Sequence, residues 1–154
     1  MRNVLLLLSP EVEAPKAIAY SLKRAKEIGG GLVAVVALDP KLTQRIDSTL
    51  ANVGFVGEAV SENVMDTLTR ERRLHAEQLL NRIEEQARNQ AVAFRGMIEE
   101  GDPSEICAPI VRQHDVVAAV LVAEKQSWLT RFLSRSAPMN LPVLAGCEVK
   151  VMED

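Results

Sequence analysis

The sequence predicts an α/β fold in which helices cover both faces of a parallel β-sheet. Three short runs, residues 4–8, 32–38 and 116–123, are apolar without alternation, which is typical of strands buried on both faces. Segments with helical spacing of apolar residues separate these runs, and strand–helix–strand crossovers of this kind build a parallel sheet. The length of 154 residues suits one domain, so we expect a single domain over residues 1–154.

The amino-terminal half predicts two strands and two helices. Pro15 opens the first helix, because its missing N–H is not needed in a first turn, and the glycines at 29–31 end it. The second strand, residues 32–38, leads to an irregular stretch that is long for a connection. We therefore expect residues 41–57 to be the most mobile part of the chain. A long helix with an apolar inner face follows over about residues 61–88.

The carboxyl-terminal half predicts three strands and two helices. Residues 92–99 alternate between apolar and polar side chains, which favours an edge strand. Asp102 caps a short helix that begins at Pro103. The run 116–123 does not alternate and therefore predicts a central strand. The last two elements are a helix over residues 128–136 and a strand over residues 143–151.

Composition and charge argue against a nucleic-acid binder or a membrane protein. Eighteen basic and 21 acidic residues leave a net charge of -3, and aromatic residues make up only 3%, whereas nucleic-acid binders usually carry a basic excess. The basic run at 70–73 contains Glu71, which favours a solvated helix face. The longest uncharged apolar run has eight residues, whereas a membrane helix needs about 20. We expect a soluble, cytoplasmic protein.

The cysteines and histidines predict neither a metal site nor catalysis. The chain has two cysteines, 40 residues apart, and two histidines. These numbers argue against a structural zinc site and, separately, against a disulfide framework. Cys107 and Cys147 are expected to act as small buried hydrophobic residues. Neither His75 nor His114 joins a Ser–His–Asp pattern. We therefore expect no metal site and no enzyme.

Three stretches together resemble the universal stress protein family. The first is residues 2–10, which lead into a helix ending at a glycine. The second is the helix 72–88, with its Ala-Glu-x-Leu-Leu core. The third is Gly-Asp-Pro at 101–103, followed by the strand 116–123 and by Leu-Pro-Val-Leu at 141–144. The resemblance covers nearly the whole chain. It implies a Rossmann-like, adenine nucleotide alpha hydrolase-like fold: a three-layer sandwich with a five-stranded parallel sheet of order 3-2-1-4-5.

The resemblance points to the branch of the family that lacks the ATP-binding glycine motif. Members that bind ATP carry Gly-x2-Gly-x9-Gly-Ser/Thr after the fourth strand, because glycines let the backbone approach phosphate oxygens. They usually also have an acidic residue at the end of the first strand. Here no glycine lies between Gly101 and Gly146, and Ser9 stands at the end of the first strand. We therefore expect no nucleotide cofactor.

A remodelled anion site is the alternative. Ser9, Ser127, Arg131 and Ser134 are weak candidates, since a helix start with a nearby arginine suits an anion. The simpler interpretation is that Ser127 only caps a helix and that the arginine is solvated. Trp128 either packs on the rim of the core or fills the space of an adenine.

Three functional hypotheses follow from these patterns. The first is a non-catalytic, bacterial stress-response or regulatory protein that acts as a homodimer without ATP, with an unknown protein partner. The second is a nucleotide- or anion-binding regulator that uses the remodelled site. The third and weakest is an enzyme of the wider nucleotide-binding α/β group.

The last strand is expected to join two copies of the chain. An apolar face runs along its whole length, and one protomer's core covers only the first half of it. Antiparallel pairing with a second copy would cover the other half, and Glu148 and Lys150 would then pair across the twofold axis. The residues on the apolar face are Val143, Ala145, Cys147, Val149 and Val151.

Overall fold

The computed structural model describes residues 2–38, 58–123 and 147–153. For residues 58–65, 104, 123 and 153 it describes the backbone only. The described strands and helices alternate along the chain up to the fourth strand. In chain order they are β1 (Asn3–Leu8), α1 (Pro15–Glu27), β2 (Gly31–Leu38), α2 (Glu58–Asn89), β3 (Phe94–Glu100), α3 (Pro103–Gln113), β4 (Val116–Ala123) and β5 (Glu148–Glu153). No helix within these ranges is long and apolar enough to cross a bilayer.

All five strands form one sheet in the order β3-β2-β1-β4-β5. Each of the four neighbouring pairs is parallel, which confirms the predicted α/β class and the predicted strand order. β1 lies in the centre, where Leu6 is in register with Ala34 of β2 and Val120 of β4. Its five residues from Val4 to Leu8 are buried, as their unbroken apolar run predicts.

The sheet is the middle of three layers, because the side chains of β1 alternate between two apolar clusters. Leu6 and Leu8 pack on the side of α1 and α2. Leu5 and Leu7 pack on the opposite side, where Ile106 and other residues of α3 meet them. Helices on both faces are what parallel crossovers require.

Two helix ends explain where the neighbouring strands begin. At the end of α1, Gly29 has a φ of 66°, and Gly30 donates to the carbonyl of Ala25 at 2.9 Å. At the end of α2, Ala91 has a φ of 56°, and Val92 donates back to the carbonyl of Ala87 at 2.8 Å. Val92 is therefore part of a helix terminus, and the predicted start of the third strand at residue 92 is wrong by two residues.

β5 also differs from its predicted range. It spans Glu148–Glu153, so it ends two residues later than predicted, and Cys147 lies just before it. Residues 143–146 of the predicted strand lie outside the described residues. The predicted mobile stretch 41–57 and the predicted helix 128–136 also lie outside them.

Candidate functional site

The strand order places a crevice at the carboxyl ends of β1 and β4. β1 connects to β2 through α1 on one face of the sheet, and β3 connects to β4 through α3 on the other face. β2, which follows β1 in the chain, and β5, which follows β4, lie on opposite sides of the β1–β4 pair, and ligands of open α/β sheets bind at such a position. The loop between β1 and α1 is the described wall of this crevice.

Ser9 lies directly after β1 and is only 5% exposed. Its carbonyl accepts a hydrogen bond from the N–H of Val12 at 3.4 Å, which folds residues 9–12 into a tight turn. Val12 is itself buried. The position at the mouth of the fold agrees with the sequence analysis, but the hydroxyl is a buried part of the loop.

α1 begins at this same edge with an uncommon terminus. Its cap position is Ala14, which has a φ of 53° and makes no side-chain cap hydrogen bond, and Pro15 occupies the first turn. The carbonyl of Ala14 accepts the first helical hydrogen bond, from Ile18 at 3.0 Å. A left-handed alanine is uncommon and strained, and here its side chain is buried in the core.

The nearest carboxylate after Ser9 is already paired. Glu11 Oε1 accepts a hydrogen bond from Arg72 Nε of α2 at 2.6 Å, and the Arg72 side chain is only 14% exposed. The prediction that the whole run 70–73 is a solvated helix face is wrong for Arg72. The sequence did contain an indication of a cationic partner, since two acids, Glu11 and Glu13, follow the first strand within five residues.

Other arginines of α2 extend this contact between the helix and the carboxyl edge of the sheet. Arg73 Nη2 lies 2.8 Å from Glu100 Oε1 at the end of β3. Arg82 Nη1 lies 3.9 Å from Glu13 Oε1. Both of these pairs are exposed, so their contribution to stability is small. The charged side chains of the described wall are therefore largely compensated by each other.

The remaining anion candidates follow β4 in the sequence. Ser127, Arg131 and Ser134 lie outside the described residues, as does Trp128. Ser9 is the only one of the four candidates that the structure describes. The proposed anion site after β4 therefore stays a prediction.

Both cysteines have environments that disfavour a thiolate. Burial, followed by the charge of Asp102, raises the pKa of Cys107 to about 12. Burial also raises the pKa of Cys147, and its Sγ donates to the carbonyl of Val116 at 3.1 Å. Val116 begins β4, so Cys147 lies at the opposite end of the sheet from the crevice. A raised pKa lowers the thiolate fraction. Cys107 is buried, as expected, whereas Cys147 is only half-buried.

The histidines and acids do not assemble into a metal centre within the described ranges. No group of three potential ligands is present among those residues. His75 is exposed on α2. The carbonyl of His114 accepts a hydrogen bond from the Asn3 side chain, which ties the end of α3 to the start of β1.

β5 carries an apolar face that the described chain leaves open. Val149 is 38% exposed and Val151 is 42% exposed. Cys147, next to them in the chain, packs instead against the cluster under α3. Val143 and Ala145 lie outside the described residues, so the structure describes three of the five predicted interface residues.

Comparison with known proteins gives matches only at the level of structure. No family model matches the sequence, and no curated protein matches it. The universal stress protein UspA from Lactobacillus plantarum has a TM-score of 0.63 and 18% identity, covering 99% of this chain and 96% of that one.

Two further universal stress proteins match over similar lengths. A family protein from Burkholderia pseudomallei has a TM-score of 0.58 and 18% identity, covering 97% of this chain and 94% of that one. The protein from Archaeoglobus fulgidus, solved in complex with dAMP, has a TM-score of 0.57 and 14% identity, covering 98% and 96%. Nearly complete coverage in both directions means that the similarity extends over the whole domain. The chain therefore has the fold of the universal stress proteins.

Proposed function

We propose that this protein is a non-catalytic stress-response regulator of the universal stress family that works as a homodimer and does not use ATP. The observation that carries the proposal is Ser9, which occupies the end of β1 in a universal stress protein fold. ATP-binding relatives of the kind described above have an acid at this position. The hydroxyl of Ser9 is uncharged and buried, so it is poorly suited to hold the adenosine part of a nucleotide.

The acid nearest to this position does not replace the missing one. Glu11 follows Ser9 by two residues, and its carboxylate is engaged by Arg72. A nucleotide that recruited Glu11 would have to break this ion pair. The sequence after β4 supports the same conclusion, since it has no glycine until Gly146.

The dimeric part of the proposal rests on β5. This strand is one edge of the sheet, and an edge strand with apolar side chains is open to pairing with another chain. Val149 and Val151 are exposed on that edge. A second copy placed antiparallel along β5 covers both valines and gives a closed, twofold-symmetric assembly.

A nucleotide-binding regulator is the second candidate function. The observation that favours it is the Archaeoglobus fulgidus protein, which has this fold and was solved with dAMP. In this chain such a site would depend on Ser127, Arg131 and Ser134 in place of the glycine motif. Arg131→Ala would then weaken the binding of the nucleotide phosphate.

Thermal unfolding with added nucleotide separates the two functions. A ligand at 100 times its Kd stabilises the folded state by about 2.7 kcal/mol, which raises Tm by roughly 5–10 °C for a chain of this size. We expect ATP, dAMP and AMP to leave Tm unchanged at millimolar concentration. The Archaeoglobus fulgidus protein with dAMP is the positive control. A saturable rise in Tm that Arg131→Ala abolishes would contradict the proposal and support the second function.

A further inference from the structure

A groove lies between α3 and the edge strand β3, away from the crevice described above. It has a volume of about 300 Å³, and its apolar lining comes from Met97 of β3 and from Ile106, Pro109 and Ile110 of α3. Ile106 and Ile110 are buried, whereas Pro109 is exposed. The groove therefore offers an apolar floor that a side chain from outside can reach.

Carboxylates line the end of the groove at the carboxyl edge of the sheet. Glu99, Asp102 and Glu105 all contribute to its lining. Glu99 is in register with Ala37 of β2, whose side chain lies in the cluster under α3, so Glu99 is on the α3 face. Glu100 next to it also lines the groove, but its carboxylate pairs with Arg73 of α2. This end of the groove is therefore negatively charged.

Pro109 adds a further acceptor to the same wall. It lies inside α3, and a proline has no N–H to donate to the carbonyl four residues earlier. That carbonyl belongs to Glu105, which also lines the groove. A helix carbonyl without its usual intrahelical donor is a strong hydrogen-bond acceptor. It favours a ligand that brings N–H groups of its own.

The groove runs beside a strand edge that is suited to a peptide. β3 pairs with β2 on one side and ends the sheet on the other. A peptide that adds to such an edge places alternate side chains on the α3 face. Met97 and Glu99 are two residues apart on that face, which matches an apolar and a cationic side chain two residues apart on the peptide.

We propose that the groove between β3 and α3 binds an extended segment of a partner protein in which a lysine or arginine and an apolar residue stand two residues apart. The cationic head contacts Glu99, Glu105 and the Glu105 carbonyl, to which Pro109 has no N–H to donate, and the apolar side chain packs on Met97. The peptide backbone adds to the edge of β3. This site is separate from the β5 edge and the nucleotide crevice, so it goes beyond the function proposed above.

Fluorescence anisotropy with labelled peptides tests the proposal on the full chain. The probe is a short peptide of the repeat Lys-Ser-Val-Ser, which places lysine and valine in turn on one face of a strand. The comparison peptide has glutamate in place of lysine. We expect the lysine peptide to bind saturably and the glutamate peptide not to bind. N-methylation of alternate backbone amides of the lysine peptide should weaken binding by about tenfold, because a methylated amide cannot pair with an edge strand. Equal binding of all three peptides would overturn the proposal.

Charge reversal locates the site. Glu99→Lys combined with Glu105→Lys should weaken binding of the lysine peptide by about tenfold or more, since like charges then face each other. The control is Glu84→Lys combined with Glu85→Lys on the exposed face of α2, which changes the net charge equally and should leave the affinity within about twofold. Equal weakening by both double variants would indicate general charge attraction and would overturn the proposal.

Pro109→Ala tests the contribution of the carbonyl without changing charge. The alanine supplies an N–H that can donate to the Glu105 carbonyl, which then no longer offers that position to the peptide. We therefore expect the lysine peptide to bind about threefold more weakly. An unchanged affinity would overturn the role given to this carbonyl.

Backbone amide shifts of the wild-type protein give a readout independent of any variant. The changes in amide chemical shift that the peptide induces should concentrate on β3 and α3. Changes that concentrate on β5 or α2 would contradict the site.

Discussion

Arg24 of α1 holds Glu148 of β5 through two hydrogen bonds to one carboxylate oxygen, from Nε at 3.1 Å and from Nη2 at 2.6 Å. Lys150 Nζ, two residues further along β5, lies 5.2 Å from the centre of the Tyr20 ring. Met152 packs on the same cluster as α1. On one face of β5, Glu148 and Lys150 therefore contact α1 within the chain, while Val149 and Val151 on the other face are exposed. The expected pairing of Glu148 with Lys150 across a twofold axis stays a prediction.

Arg24→Ala should loosen β5 more than the rest of the sheet. Hydrogen bonds with Glu148, and then with Glu27, raise the pKa of Arg24, but the group is solvent-exposed and the effect on stability is small. We expect Tm to fall by about 1–3 °C at low salt and less at high salt. Amide exchange of β5 should accelerate. Arg88→Ala, which removes an exposed pair with Glu84 within α2, is the control and should leave β5 exchange unchanged.

Breaking the pair between Glu11 and Arg72 should cost more than breaking an exposed pair. Arg72 is mostly buried, so Arg72→Met leaves the Glu11 carboxylate without its guanidinium partner. We expect the free energy of unfolding to fall by about 1–3 kcal/mol, measured in urea. A double-mutant cycle with Glu11→Gln should show coupling of the two sites. Additive effects in the cycle would mean that the two side chains do not stabilise each other.

Two helical leucines offer a matched test of the core. Leu22 of α1 is fully buried, whereas Leu74 of α2 is 51% exposed. Leu22→Ala should lower the free energy of unfolding by about 2–5 kcal/mol, because it leaves a cavity between α1 and the sheet. Leu74→Ala should change it by no more than about 0.5 kcal/mol. Similar losses for both variants in chemical denaturation would be inconsistent with the packing of α1 on the sheet.

Alkaline pH should destabilise the protein through Cys107. Its pKa rises from an ordinary value of 9.0 to about 12 in the folded state. Above pH 9 the unfolded thiol releases its proton while the folded one keeps it. Ionisation therefore lowers the free energy of the unfolded state but not that of the folded state. The stability difference between the native protein and Cys107→Ala should therefore shrink above pH 9, by at most about 1.4 kcal/mol per pH unit. A difference that stays constant from pH 8 to about pH 11 would contradict burial of the thiol.

The central part of the fold was predictable because burial on both faces leaves a clear pattern. The unbroken apolar runs of β1, β2 and β4 indicate strands that can only lie inside a parallel sheet. Errors arose at positions where one residue fits either a strand or a helix terminus. Val92 is apolar and looks like strand, but its N–H closes the end of α2, and no pattern of hydrophobicity contains that information.

The candidate site was less predictable, because its contacts join residues that are far apart in the chain. Arg72 looks solvated within its basic run, and only the fold brings it to Glu11, which is 61 positions away. Ser9 was identified because it directly follows the apolar run of β1 and precedes Pro10. The groove beside β3 was not predicted, since its two walls come from an edge strand and a helix face that appear unremarkable separately.

The last prediction concerns the β5 edge, where the structure leaves two valines exposed. If a second copy covers them, Val149→Lys combined with Val151→Lys should give a folded monomer in sedimentation, because two buried lysines would face two others across the interface. Leu74→Lys, at an exposed leucine on α2, is the matched control and should remain a dimer. Truncation after Gly146 should also abolish the dimer, and circular dichroism of both variants shows whether the fold is kept. A dimer that survives the double substitution, or a native protein that sediments as a monomer, would contradict an interface through β5. Because the lysines lie on the face opposite Arg24 and Tyr20, the contacts of β5 with α1 should persist in the monomer. The β5 amides that bond to β4 should stay protected, whereas those that face the partner strand in the dimer should exchange faster.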